Sequence, residues 1–229
     1  MEHIPLEDQV GVVAALHHPL SRRAYELVVE RGWVTRDDAA AELGVGRAVA
    51  AFHLDKLIDA GLLEARYERT SGRSGPGAGR PAKLYGCSAR EVEVSFPPRR
   101  YDLASSLLAA ALVRAASGQA RAEEVLGAVA RDTGFRIGRE AAEKRGRSSC
   151  HAALLRSLAA SGYRPRRRDG DIVLANCPFH SLVARHPDLV CQMNLDLLCG
   201  VVAGLDCADK LSARLQPIDG ECCVRLGPA

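Results

Sequence analysis

The sequence predicts a mainly α-helical protein with a small β component, built as two domains over residues 1–95 and 96–229. Three observations predict it. Apolar residues recur at helical spacing over most of the chain, and alternating runs are short and few. The segment Cys87 to Arg100, which ends in Pro97-Pro98-Arg99-Arg100, reads as an extended joint. Beyond it lie seven of the eight cysteines, all but Cys87. A chain of 229 residues has room for two modest cores. Hydrophobic residues make up 47% and charged residues 26%, the balance of a globular protein. Aromatics are only 4%, so the cores must be mostly Ala, Leu and Val.

In the N-terminal domain, a polar lead precedes the apolar patch Val10 to Leu16, a short helix that packs on this domain or on a partner chain. His3, His17 and His18 have no cysteine nearby and read as exposed or capping residues. Pro19 and Ser21 open a helix, Arg22 to Arg31, whose Tyr25, Val28 and Val29 face the core, and Gly32 ends it. Thr35, with Asp38 three residues on, is a capping-box variant. It opens a short helix whose small apolar face is Ala39, Ala40 and Leu43, ended by Gly44. After the turn at Val45-Gly46, a second helix runs from Arg47 to Ala60. Its Val49, Phe52, Leu57 and Ile58 recur at helical spacing and are expected in the core. Gly61 stops it where a left-handed residue is cheapest.

Two short helices joined by a glycine-bearing turn predict a helix-turn-helix, whose second helix enters a DNA major groove. Leu62 to Arg69 then alternates as a strand, Thr70 to Pro81 is a loop rich in Gly, Ser and Arg, and Lys83-Leu84-Tyr85 returns. A hairpin with a basic tip behind a recognition helix is a wing, and its Arg66, Arg69, Arg73, Arg80 and Lys83 can reach phosphates or a minor groove. The net charge of +3 is too small to imply anything by itself, so DNA affinity has to come from local basic patches. The candidate DNA contacts are Arg47, Ala48, Ala51 and His53 early on the second helix, Lys56 toward a phosphate, and Arg69, Arg73, Arg80 and Lys83 on the wing.

Past the joint, Tyr101 to Ala116 is an Ala/Leu-rich helix, apolar on more than one face, that needs burial in a dimer interface or within the second domain. Ala120 to Lys144 is a longer amphipathic helix with Val125, Leu126, Val129, Phe135 and Ile137 inside; Gly134 and Gly138 are places for a kink. Ser149 can cap a third helix, Ser148 to Ser161. Tyr163 to Arg168 and Ile172 to Leu174 are strands across the turn Asp169-Gly170. A helix follows from Leu189 to Leu205, and two strands close the chain near Leu211 to Pro217 and Cys222 to Leu226, joined by Asp219-Gly220. The second domain is therefore α+β.

Cys177 lies in the loop Asn176-Cys177-Pro178-Phe179-His180. Thirteen residues separate it from Cys191, fifteen separate Cys191 from Cys207, and fourteen separate Cys207 from Cys222. These gaps are far wider than the close pairs of a zinc ribbon, so the fold itself must bring the sulfurs together. Thiolates gathered in this way suit an iron–sulfur cluster or zinc. Cys222 and Cys223, as neighbours on a strand, should point to opposite faces and not both ligate. Cys199 sits on a leucine-rich helix face and reads as core, and Cys150-His151 ranks below the later cluster.

The stretches HLDKLIDAGLLEARYER and GPGAGRPAKLYG, with the cysteine-bearing C-terminal part, resemble the ArsR-like winged-helix regulators of actinobacteria and cyanobacteria. Within them the chain is most similar to the branch that includes the iron–sulfur-biogenesis repressor SufR. The resemblance implies a homodimeric transcription regulator on a double-stranded DNA operator, with a C-terminal sensor domain related to 4-vinyl-reductase-type ligand-binding domains. It also implies that Cys177, Cys191 and Cys222 hold a cluster, with Cys207 or His180 as fourth ligand. Four thiolates favour a [4Fe–4S] cluster that senses redox state, O₂ or nitric oxide; three with His180 fit zinc as well, in a regulator that senses a small organic ligand. No nucleophile triad, phosphate loop or catalytic carboxylate pair stands out, so a binding protein is expected rather than an enzyme. No basic-then-apolar leader and no apolar run of spanning length is seen, so the expected location is the cytoplasm, with no membrane partner.

Overall fold

A computed structural model describes residues 6–68, 81–90, 92–118, 120–218 and 220–229. The chain divides into two compact units, Met1–Val94 and Ser95–Ala229. The described residues are mainly helical, with two small antiparallel sheets. Among them no helix is long and apolar enough to cross a membrane.

The first unit contains α1 (Leu6–His17), α2 (Pro19–Arg31), β1 (Val34–Thr35), α3 (Arg36–Leu43), α4 (Arg47–Asp59), β2 (Leu63–Glu68) and β3 (Ala82–Cys87). Both halves of the capping box at α3 form: Asp38 N–H donates to Thr35 Oγ1 at 3.1 Å, and Thr35 N–H donates to Asp38 Oδ2 at 2.8 Å. Gly44 then takes the left-handed conformation that ends α3 (φ 68°), which turns the chain into α4. The three strands are ordered β1-β3-β2, with Val34 opposite Tyr85 and Glu68 opposite Ala82.

The core of this unit holds Ala24, Val28, Val34, Ala39, Ala50, Leu54 and Leu57. It corrects the expected inner faces of two helices. Val29 is exposed, and so are Val49 (43%) and Phe52 (64%); the buried face of α4 is Ala50, His53, Leu54 and Leu57. The reason is that α4 carries apolar residues around most of its circumference, so periodicity alone leaves two faces available. The neighbours select the one on which His53 finds Ser21, whose Oγ shares a 2.9 Å hydrogen bond with Nδ1. Buried polar groups need such a partner.

The second unit contains α5 (Tyr101–Ala116), α6 (Ala122–Glu143), α7 (Cys150–Ala160), β4 (Pro165–Arg168), β5 (Asp171–Leu174), α8 (His180–Val183), α9 (Pro187–Gly204), β6 (Ser212–Leu215) and β7 (Val224–Gly227). Its sheet is antiparallel in the order β4-β5-β7-β6. Asp169 and Gly170 both have positive φ (52° and 85°), as a tight two-residue hairpin requires. Asp219, expected in the last turn, lies outside the described residues. One core packs α7, the sheet and the second half of α9 together through Leu154, Leu158, Ile172, Leu174, Leu198 and Leu205. Another packs α5 and α6 on the first half of α9 through Leu107, Leu126, Val129, Met193 and Leu197.

Gly134 and Gly138 do not break α6, which is continuous. They let α9 approach. A Cβ on Gly134 would stand 1.9 Å from the Leu197 carbonyl oxygen, and one on Gly138 2.3 Å from that of Val201. Gly200 and Gly204 on α9 reciprocate against the Arg131 and Phe135 carbonyls at 2.1 Å each. With the backbones this close, the interface has no room for Phe135, which turns out to solvent instead of inward as expected.

Candidate functional sites

The close α6–α9 contact fixes α9, and α9 carries Cys191 and Asn194 into the second unit. Cys177 arrives on the loop between β5 and α8. Arg99 holds that loop: its Nη1 donates to the Cys177 carbonyl at 2.8 Å and to Asn176 Oδ1 at 2.7 Å. Asn176, buried, donates in turn to the Gly162 and Pro98 carbonyls at 2.6 and 2.9 Å. Cys222 and Cys223 precede β7, in irregular backbone.

These elements bring Cys177, Cys191, Cys222 and Cys223 into one line of contacting sulfurs. The Cys177 thiol donates to Cys222, and Cys223 stands between Cys222 and Cys191. The thiol hydrogen bonds from Cys177 and then Cys223, helped by the Asn194 amide at 3.2 Å, hold Cys222 far below the ordinary thiol range. Donating to that sulfur, together with burial, raises Cys177 and Cys223. Burial also raises Cys191. The arrangement favours the thiolate at Cys222 and the protonated form at its neighbours. Asn194 is fully buried and also accepts a hydrogen bond from the Tyr163 hydroxyl, so both faces of its amide are used. A cleft of about 500 Å³, lined by Val183, Pro187, Leu215, Ile218 and Glu221 among others, opens onto Cys191 and Cys223.

Cys223 departs from the expectation drawn from strand alternation. The rule holds for regular strand, and β7 begins only at Val224, so the backbone at the two cysteines is free to turn both sulfurs the same way. Cys207 departs too: it forms a disulfide with Cys150, Cα–Cα 5.9 Å, and so has no free thiol to add to the line. Arg145 Nη1 sits 3.5 and 3.6 Å from those two sulfurs. His180 opens α8 with an exposed imidazole, outside the line. Cys199 is half-buried beside Arg131 and Asp196. Among the described residues no group of three or more His, Cys, Asp or Glu side chains is arranged to hold a single metal ion.

In the first unit, Arg47 stands exposed at the start of α4, paired with Asp37 at 3.1 Å, and Ala48 beside it is exposed. Ala51 and Lys56 are half-buried. His53, expected to meet DNA, points into the core instead. Burial, then the nearby His18 and Lys56, lower its pKa below 6.5. Lys83 donates to Asp55 at 2.6 Å, and Tyr85 donates to the same oxygen at 3.0 Å. Arg66 lies over the Trp33 ring, 3.9 Å from its centroid. Arg69, Arg73 and Arg80 lie outside the described residues.

No protein-family model matches this chain, nor does the sequence of any curated protein.

The residues that periodicity and spacing did not single out are Cys223, Asn194, Asn176, Arg99 and Tyr163. One of them had a visible signal. Asn194 is a polar residue in the otherwise apolar stretch Leu189 to Leu205, where a buried amide must have partners. Arg99 had none, because its role depends on a loop 77 residues away.

Proposed function

We propose that this chain is a homodimeric, DNA-binding transcription regulator whose C-terminal thiols hold an iron–sulfur cluster. The first unit acts as a winged helix-turn-helix, with α4 in the major groove of each half-site of a near-palindromic operator. The convergence of Cys177, Cys191, Cys222 and Cys223 carries the reading. Four thiols drawn from a loop, a helix and a strand entry are the donor set such a cluster takes. The hydrogen bonds that lower the pKa of Cys222 favour its thiolate, the form in which a cysteine ligates. The Asn194 N–H bond to sulfur is the kind of contact that tunes a cluster's potential.

Bound there, the group would supply a redox centre sensitive to O₂ and nitric oxide. The chain supplies the rest. Arg99 and Asn176 position the Cys177 loop, Asn194 and Tyr163 orient Cys222, and the cleft beside Cys191 and Cys223 admits small oxidants. Because α9 is locked to α6 backbone against backbone, a change of spacing at Cys191 moves a rigid helix pair rather than one side chain. A difference in the energy of that movement between loaded and empty protein is what would couple the pocket to DNA affinity. The protein binds and signals; it is not read as an enzyme.

The test is metal content, labile sulfide and visible absorbance of protein purified without air. Iron, sulfide and broad visible absorbance are expected, and Cys177→Ser is expected to lose all three while staying folded. About one zinc per chain without iron would instead assign the thiols a structural metal and leave sensing to an organic ligand. Iron content unchanged in the Cys177 variant would refute the ligand assignment.

A further inference from the structure

The outer side of α4 is apolar where a DNA-reading helix has its base contacts. Ala48, Ala51 and Phe52 form one ridge at i, i+3 and i+4 along its N-terminal half, flanked by Val49. Phe52 is the most conspicuous of them, at 64% exposed. The ring meets the neighbouring His53 ring edge-on, 5.3 Å between centroids, but the core face of α4 is complete without it, with Ala50, Leu54 and Leu57 fully buried. The next polar residue along the ridge, Asp55, is engaged by Lys83 and Tyr85. On this half of the helix only Arg47 can hydrogen-bond a base edge. His53, whose imidazole was expected to do so, faces inward onto Ser21.

We infer that α4 reads thymine: Phe52, with Ala48 and Ala51, contacts the C5-methyl groups of thymines in each half-site. This rests on the DNA-binding reading above and specifies what that surface recognises. The N-terminal part of a recognition helix is the part that meets base edges. In the major groove thymine is the base that offers a methyl group, and apolar side chains are its natural partners. Two exposed guanidiniums stand near the ridge: Arg36 and Arg47, at the starts of α3 and α4, both lie beside the Asp37 carboxylate, at 3.7 and 3.1 Å, and either can turn to a flanking phosphate. A second protein is a poor occupant. A stable protein interface needs about 800 Å² from each partner, and one phenylalanine ring supplies at most about 250 Å², with alanines adding little.

The experiment uses the full chain. A random duplex library is selected for binding, and the enriched duplex is remade with deoxyuridine at individual thymine positions, which removes the methyl and keeps every hydrogen-bonding atom. Dissociation constants are measured by fluorescence anisotropy at one salt concentration. Thymine-bearing half-sites are expected, with affinity falling about three- to fivefold for each contacted methyl removed. Phe52→Ala, at an exposed position that leaves the fold intact, is expected to weaken the thymine duplex more than tenfold and to erase the thymine–uracil difference at the positions it contacts. Arg47→Gln is expected to weaken both duplexes and keep that difference. An enriched duplex bound equally well with thymine or uracil, or a methyl dependence that survives Phe52→Ala, overturns the inference. Failure to enrich any duplex overturns the DNA-binding reading beneath it.

Discussion

Replacing Gly134 by alanine adds one methyl group at the point where α6 and α9 are closest. That methyl would lie 1.9 Å from the Leu197 carbonyl oxygen, 2.9 Å from the Leu197 carbonyl carbon and 3.0 Å from the Val201 nitrogen. All three are backbone atoms, so no side chain can rotate away. Restoring an ordinary contact near 3.4 Å requires the two helices to part by about 1.5 Å. Overpacking of this kind costs about 3 kcal/mol, the upper end of the usual range. Alanine returns about 1 kcal/mol through its better helix propensity. The expected net loss is therefore about 2 kcal/mol, or roughly 4 to 8 °C in the transition of the second unit. Urea and thermal unfolding of the full chain measure it. Gly11→Ala in α1 is the control: no atom lies within 4 Å of its added methyl. It should stabilise the first unit by about 1 kcal/mol. A Gly134→Ala protein as stable as the parent would refute the claim that these glycines exist to let two backbones touch. Because α9 also carries Cys191 and Asn194, the same variant is expected to hold less iron.

Two other outcomes follow from the geometry. The first unit should lose stability as pH falls below 6.5, because burial keeps the folded His53 imidazole from taking a proton that the unfolded chain accepts. Above 6.5 the neutral ring is favoured in both states and its contacts count in full; the loss ends once the folded imidazole protonates as well. A pH series of urea midpoints measures this, and His53→Gln should flatten the slope. Cys207→Ser opens a disulfide that spans 57 residues of sequence, which the loop-entropy account values at about 4 kcal/mol. It should lower the unfolding midpoint of the oxidised protein and leave its iron content intact, whereas Cys191→Ser should remove the iron.

How much of this was legible in the residues varies along the chain. Thr35 and Asp38 announced a capping box because both partners are three residues apart, and Asp169-Gly170 announced a hairpin for the same local reason. The extent of α5 followed from an Ala/Leu-rich run that no Gly or Pro interrupts. Phe52, by contrast, looked like core because its spacing fits a helical stripe. That stripe is shared by two faces of α4, and only packing against the neighbouring helices, with Ser21 of α2 as partner for His53, decides between them. Cys177, Cys191 and Cys222 stood out as a set by residue type. Cys223 was set aside by a rule about strands that does not reach the residue before β7, and Cys207 was grouped with the others by spacing when its partner is Cys150.

By itself, then, the order of residues determined what depends on neighbours within about one helical turn: where helices start and stop, where hairpins turn, and which side chains have the chemistry to bind a metal. The tertiary structure alone decided which face of α4 is hidden, that four glycines serve as a contact rather than as kinks, and which sulfurs meet. Those outcomes depend on distances between segments many residues apart, and a sulfur or a methyl group carries no mark of its distant neighbour until packing has placed it.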